Sequence, residues 1–142
     1  MGKIYYKKLP IWKYVLAEDY KITLPQSFHF SEGIFAPYYQ LEGHILTIRE
    51  GYAWDGPSGL SIDTKNFMRG SLIHDCLYQM MNEGQLDKSY RKIADKLLRR
   101  FCREDGMSKF RAWYVYHAVR KLYPIWSKFN KDPDMDRVYV SP

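Results

Sequence analysis

Cysteine is scarce: two residues, Cys76 and Cys102, in a chain of 142. Neither belongs to a Cys-x-x-Cys pair, so the sequence carries no disulfide framework and no cysteine-rich zinc motif. Both cysteines fall on apolar stripes of predicted helices, where a reduced thiol packs as a small hydrophobe. The four histidines, His29, His44, His74 and His117, have no paired ligand spacing, which argues further against zinc. Long apolar runs are missing as well. No stretch approaches the roughly 18 apolar residues of a membrane span. The start, Met1 to Lys8, lacks the apolar run of a signal peptide. A cytosolic protein without a transmembrane segment is expected, and no internal repeat or low-complexity tract appears.

Acidic residues are outnumbered, 16 against 22 Lys and Arg, giving a net charge of +6 and a pI near 9.2. A basic balance favours acidic partners such as nucleic acid, lipid headgroups or an acidic neighbour in an assembly. The excess is concentrated. Lys88, Arg91, Lys92, Lys96, Arg99, Arg100 and Arg103 lie on one predicted helix, and Lys109, Arg111, Arg120 and Lys121 on the next. Such runs are often only solvated faces. Aromatics are plentiful, at 17% of the chain with 13 Tyr and 4 Trp. They serve either a small core of large residues or a surface that packs on a partner.

The length fits a single domain, residues 1–142. It divides into a β part (1–50), a glycine-rich loop (51–65), a helical part (66–129) and a tail (130–142). Trp12 to Ala17 and Tyr20 to Leu24 read as a hairpin around Glu18-Asp19, ended by Pro25. Ser31-Glu32-Gly33 reads as a turn, and 34–41 as a strand broken by Pro37. His44 to Arg49 alternates and is the clearest strand. Three helices follow, at about 66–81, 88–103 and 109–122. Asp63 or Thr64, Asp87 and Ser108 are the predicted caps, and Gly84 and Gly106 the stops. The third helix would turn Phe110, Trp113, Tyr114, His117, Ala118 and Leu122 inward; Pro124 would stop or kink it, and residues 125–129 could add another turn or two. Val138-Tyr139-Val140 could add an edge strand. Strands followed by a block of helices give an α+β fold: a small antiparallel β part, then a bundle of three helices joined by short links as antiparallel neighbours.

The chemistry concentrates on the first helix. His74 and Tyr78 are four apart and share a face, with Asp75 about 100° round from His74. On the second helix Asp95 sits inside the apolar stripe, where an unpaired carboxylate is costly. A network of Asp95, His74 and Tyr78 is therefore expected. Two roles are open to it. His74, oriented by Asp95, acts as general base on a water, while Asp75 joins oxygens of Asp55, Gly56 and Ser58 around a hard cation. Otherwise the network only locks two helices. The loop Asp55-Gly56-Pro57-Ser58-Gly59 likewise either binds an ion or is a plain strand-to-helix turn. A serine nucleophile, Ser58 or Ser71, has no nucleophile-elbow motif behind it.

Two resemblances follow from these residues. Asp55-Gly56-Pro57-Ser58, then His74-Asp75-Cys76-Leu77-Tyr78, then Ala94-Asp95 with Ala118-Val119-Arg120, resemble the domain-of-unknown-function family 1353 over residues 45 to 122. Members of that family are common in tailed-phage and prophage genomes. The resemblance implies a phage-encoded protein in the host cytoplasm, with incorporation into the virion and phage structural proteins or host envelope components as partners. The order of loop, His-Asp helix with a following Tyr, and second Asp is also similar to phospholipase A₂. That resemblance implies His74 as base, Asp75 with the 55–59 loop as a Ca²⁺ site, and Asp95 as orienter supported by Tyr78. The paired cysteines and Tyr-x-Gly-x-Gly loop of the secreted enzymes are absent here. The expected function is a hydrolase-like site acting on lipid or another envelope ester or amide. The alternative is a non-catalytic virion or host-interaction protein. Nucleic-acid binding by the 88–103 helix ranks below both, because aromatics do not interleave with its basic residues.

Overall fold

The computed structural model describes residues 6–8, 14–54 and 65–129, with side chains over 14–54 and 65–121. Residues 55–64 of the expected glycine-rich loop, with the expected caps Asp63 and Thr64, and the strand expected at 138–140 lie outside the described residues. The architecture is α+β, an antiparallel sheet region followed by three helices. The chain divides into two compact units, one running to Trp54 and the other starting at Asp55.

Among the described residues the first unit holds seven strands: β1 (Tyr6–Lys8), β2 (Tyr14–Leu16), β3 (Tyr20–Thr23), β4 (Phe30–Phe35), β5 (Tyr39–Gly43), β6 (Ile45–Ile48) and β7 (Ala53–Trp54). They form a three-stranded sheet in the order β1-β2-β7 and a four-stranded sheet in the order β3-β6-β5-β4, with every pairing antiparallel. The predicted hairpin over 12–24 is thus corrected. β2 and β3 are neighbours in sequence but belong to different sheets. β2 pairs with β7, setting Tyr14 opposite Trp54, and β3 pairs with β6, setting Tyr20 opposite Ile48. Long-range pairing wins because each strand buries its apolar side chains where it goes: Leu16, Tyr20 and Ile22 are all buried.

Ser31-Glu32-Gly33 is not a turn between elements. It is an irregularity inside β4, where the register with β5 shifts between Phe30 and Ile34 and Gly33 adopts φ +78°. Pro37 does mark a break: Ala36 N–H donates to the Tyr39 carbonyl across the turn between β4 and β5.

The second unit holds α1 (Lys65–Asn82), α2 (Arg91–Glu104) and α3 (Lys109–Phe129). After α1 the chain reverses at Gly84, φ +77°, and Gln85 N–H returns to the Met80 carbonyl. Asp87 caps the turn into α2 by accepting from Ser89 N–H at 2.7 Å, and Ser108 caps α3 by accepting from Arg111 N–H at 3.2 Å. α3 continues through Pro124 to Phe129, taking in the further turns expected over 125–129.

α1 and α2 run antiparallel, as their contacts show. Arg69 meets Asp105, Gly70 meets Cys102 and Leu98, and His74 meets Asp95. A core of Phe67, Leu98, Cys102, Met107, Ala112, Val115 and Val119 joins all three helices. This core reverses the expected orientation of α3. Ala112, Val115, Tyr116 and Val119 are buried, and Ala118 packs against the core as expected, while Phe110, Trp113, Tyr114 and His117 are exposed. Leu122 lies outside the residues with described side chains. No helix of the described residues is long and apolar enough to cross a membrane.

Candidate active site

α1 carries His74 and Tyr78 on one face because they are one turn apart, and their rings lie 4.2 Å apart between centroids. α2 sets Asp95 against that face in a fully buried position. His74 Nε2 lies 2.6 Å from Asp95 Oδ1, and the Tyr78 hydroxyl donates to the same oxygen at 2.5 Å. The expected trio is therefore brought together.

A fourth member comes from α3. Arg120 Nη1 donates to Asp95 Oδ2 at 3.0 Å, and the Arg120 carbonyl in turn accepts from Arg91 Nη2 at 2.6 Å. Both oxygens of the buried carboxylate are thus engaged, and its charge faces an arginine. Sequence reasoning missed this role for Arg120, although the residue stands in the Ala118-Val119-Arg120 stretch singled out above. It also missed Arg69, which is only 5% exposed. Arg69 donates from Nε and Nη2 to the two oxygens of Asp105 and from Nη2 to Glu104, each at 3.0 Å, and lies over the Phe101 ring.

The electrostatics follow from burial and these partners. Burial works against the charged imidazole of His74, but the Asp75 and Asp95 carboxylates outweigh it and raise its pKa above 6.5. Burial likewise opposes ionisation of Asp95, yet the bonds from His74, Tyr78 and Arg120 hold its pKa below 3.8. Burial, reinforced by the Asp95 charge, raises the Tyr78 hydroxyl, which stays a donor. Cys76 is buried, and burial pushes its thiol well up, so it is no nucleophile. Burial also raises Cys102, to about 12. Ser71 is buried too, donating to the Met68 carbonyl at 2.9 Å, which removes it as a nucleophile. His117 sits at the surface against the Trp113 and Tyr116 rings.

His74 Nδ1, the second ring nitrogen, lies 3.9 Å from Asp75 Oδ1, beyond hydrogen-bond length. Asp75 has 30% of its side chain exposed. As an accessible carboxylate it suits a hard cation. Its expected co-ligands, Asp55, Gly56 and Ser58, lie outside the described residues. No group of three or more His, Cys, Asp or Glu side chains able to hold a metal occurs among the described residues.

A family model described as "Protein of unknown function (DUF1353)" matches residues 36–119, more than half of the chain. The chain belongs to the DUF1353 family. The DUF1353 match begins at 36 rather than the expected 45 and ends at 119 rather than 122. It takes in β5 to β7, α1, α2 and the start of α3, and with them His74, Asp75, Tyr78 and Asp95. No curated protein and no solved structure matches the chain.

Proposed function

We propose that this DUF1353 protein is a phage-encoded hydrolase-like enzyme in which His74 is the general base, Asp95 its orienter and Tyr78 a support for Asp95. One observation carries the reading. Nε2 of His74 is committed to Asp95 at 2.6 Å, while Nδ1 faces Asp75 without a hydrogen bond at 3.9 Å. In the neutral ring that pairing puts the proton on Nε2 and leaves the Nδ1 lone pair to take a proton from water. The hydroxide so formed attacks an ester or amide carbonyl, or a phosphoryl group, of a lipid or other envelope component; the bond to the alcohol or amine leaving group breaks, and the His74 imidazolium returns its proton to that group. Asp75 with oxygens of Asp55, Gly56 and Ser58 would hold Ca²⁺, which would polarise the carbonyl or phosphoryl oxygen of the group under attack.

The experiment is hydrolysis of a phospholipid and ester panel by the wild-type chain and by His74→Gln, with melting temperatures measured in parallel. Turnover that falls about 10²- to 10⁴-fold in a folded variant supports the base. Stabilisation by millimolar Ca²⁺ that disappears in Asp75→Asn supports the cation.

A second reading has its own observation. His74 is only 5% exposed, and two carboxylates favour its protonated form, which is not a base. On that reading the network locks the helices of a non-catalytic phage component, virion-borne or host-interacting. Absence of turnover in the wild type, together with the protein in purified particles by mass spectrometry, would favour it.

A further inference from the structure

The outward face of α3 is the largest departure from the sequence pattern, and the helical core does not use it. Phe110, Trp113 and Tyr114 are 76%, 52% and 48% exposed. At spacings of three and four they form a single ridge. Large aromatics grouped at a surface in this way mark an interaction site. Beside the ridge, α2 presents Lys96, Arg99, Arg100 and Arg103 at helical spacing. With Lys109, Phe110 and Trp113 they line a groove of about 540 Å³. The described lining includes no carboxylate. Glu104 pairs with Arg100 at 3.1 Å, which leaves the charge of the lining strongly positive.

We infer that this face docks the protein onto an anionic lipid surface, with the aromatic ridge entering the headgroup layer and the basic residues of α2 meeting lipid phosphates. Aromatic rings with one wet and one apolar side settle at that depth. Lys and Arg lay their stems along apolar matter while their charged ends reach outward. Each basic residue near an anionic leaflet adds attraction that salt screens.

The ring geometry decides against single-stranded nucleic acid, which needs open ring faces for its bases. Trp113 stands between Phe110, 6.2 Å away and nearly parallel at 25°, and His117, 4.6 Å away. Phe110 and His117 therefore flank the half-exposed Trp113, and the three rings make a continuous ridge rather than separate platforms. The inference uses none of the residues around Asp95 and stands whether or not His74 is catalytic.

The test is cosedimentation of the full chain with phosphatidylcholine vesicles, with and without phosphatidylglycerol, across a salt series. The expected result is binding that needs the anionic lipid and weakens as salt rises. The double variant Lys96→Glu/Lys109→Glu should lower the partition coefficient about tenfold or more, and Phe110→Ser/Trp113→Ser should do so at equal lipid charge. Should the aromatic variant fail to fold, the charge variant decides alone, since both of its positions are exposed. No binding at low salt, equal binding to neutral vesicles, or binding indifferent to the charge variant would overturn the inference. So would a single-stranded oligonucleotide that displaces the vesicles, or self-association in solution that Phe110→Ser abolishes.

Discussion

Arg120 donates to the one oxygen of Asp95 that His74 and Tyr78 leave unused, at 3.0 Å. A single carboxylate on the middle helix therefore ties down both outer helices. Removing it leaves the buried His74 ring and the part-buried Arg120 guanidinium without the carboxylate they share. Asp95→Ala should cost about 3–5 kcal/mol of stability, the range for breaking a buried ion pair. Tyr78→Phe should cost only about 1 kcal/mol, because it deletes one donor and leaves the charges paired. Urea denaturation measures both, and an Asp95→Ala loss no larger than that of Tyr78→Phe would refute this account.

The same network sets a pH window. The pKa of His74 is raised above 6.5, so its contribution is complete below 6.5 and is lost as pH rises through the folded value. Asp95 is held below 3.8, so its contribution is present above 3.8 and is lost as pH falls through the folded value. Stability should be greatest between these limits and decline on either side. In Asp95→Asn the alkaline decline should flatten, because the imidazolium has lost its closest carboxylate. Thermal melts of both proteins across pH give the comparison, and an unchanged alkaline limb in the variant would contradict it.

Gly70 of α1 packs tightly against α2. A Cβ there would stand 3.0 Å from both Cys102 Sγ and Leu98 Cδ1, and 3.3 Å from the Leu98 carbonyl oxygen. Side chains can shift, but the helix backbone yields less readily. Gly70→Val should destabilise the helical unit by about 1–3 kcal/mol, as overpacked cores do. A neutral or stabilising effect in chemical denaturation would show that the helices can part without cost.

Arg69 binds two carboxylates and covers the Phe101 ring, with its guanidinium 4.6 Å from the ring centroid. Lysine matches the charge but not the planar fork. Arg69→Lys should therefore destabilise rather than act as a conservative change, by about 1–3 kcal/mol. Equal stability of the two proteins in calorimetry would rule out a role for the fork.

The sequence revealed some of this and concealed the rest for physical reasons. Asp95 was legible because a carboxylate inside an apolar stripe demands partners, and His74 and Tyr78 stood within reach on a neighbouring helix. Arg120 was hidden because an arginine at a helix surface looks alike whether its head points to water or reaches inward. The orientation of α3 was misread because two stripes fit the same period. Ala112, Val115, Tyr116 and Val119 repeat as well as Phe110, Trp113, Tyr114 and His117, and the larger rings looked more like core. The β part failed on partner choice: a strand's alternation shows which side is buried, not which distant strand it joins.

The irregularity in β4 bears on how the protein behaves in a crowded solution. β4 forms one edge of the four-stranded sheet, and an open edge invites a strand from another molecule. Here the register breaks between Phe30 and Ile34, and a Cβ on Gly33 would meet the Phe35 ring at 2.5 Å. An incoming strand would find no straight row of amides and carbonyls to extend. Irregularities of this kind are among the devices that keep an edge strand from pairing with another chain.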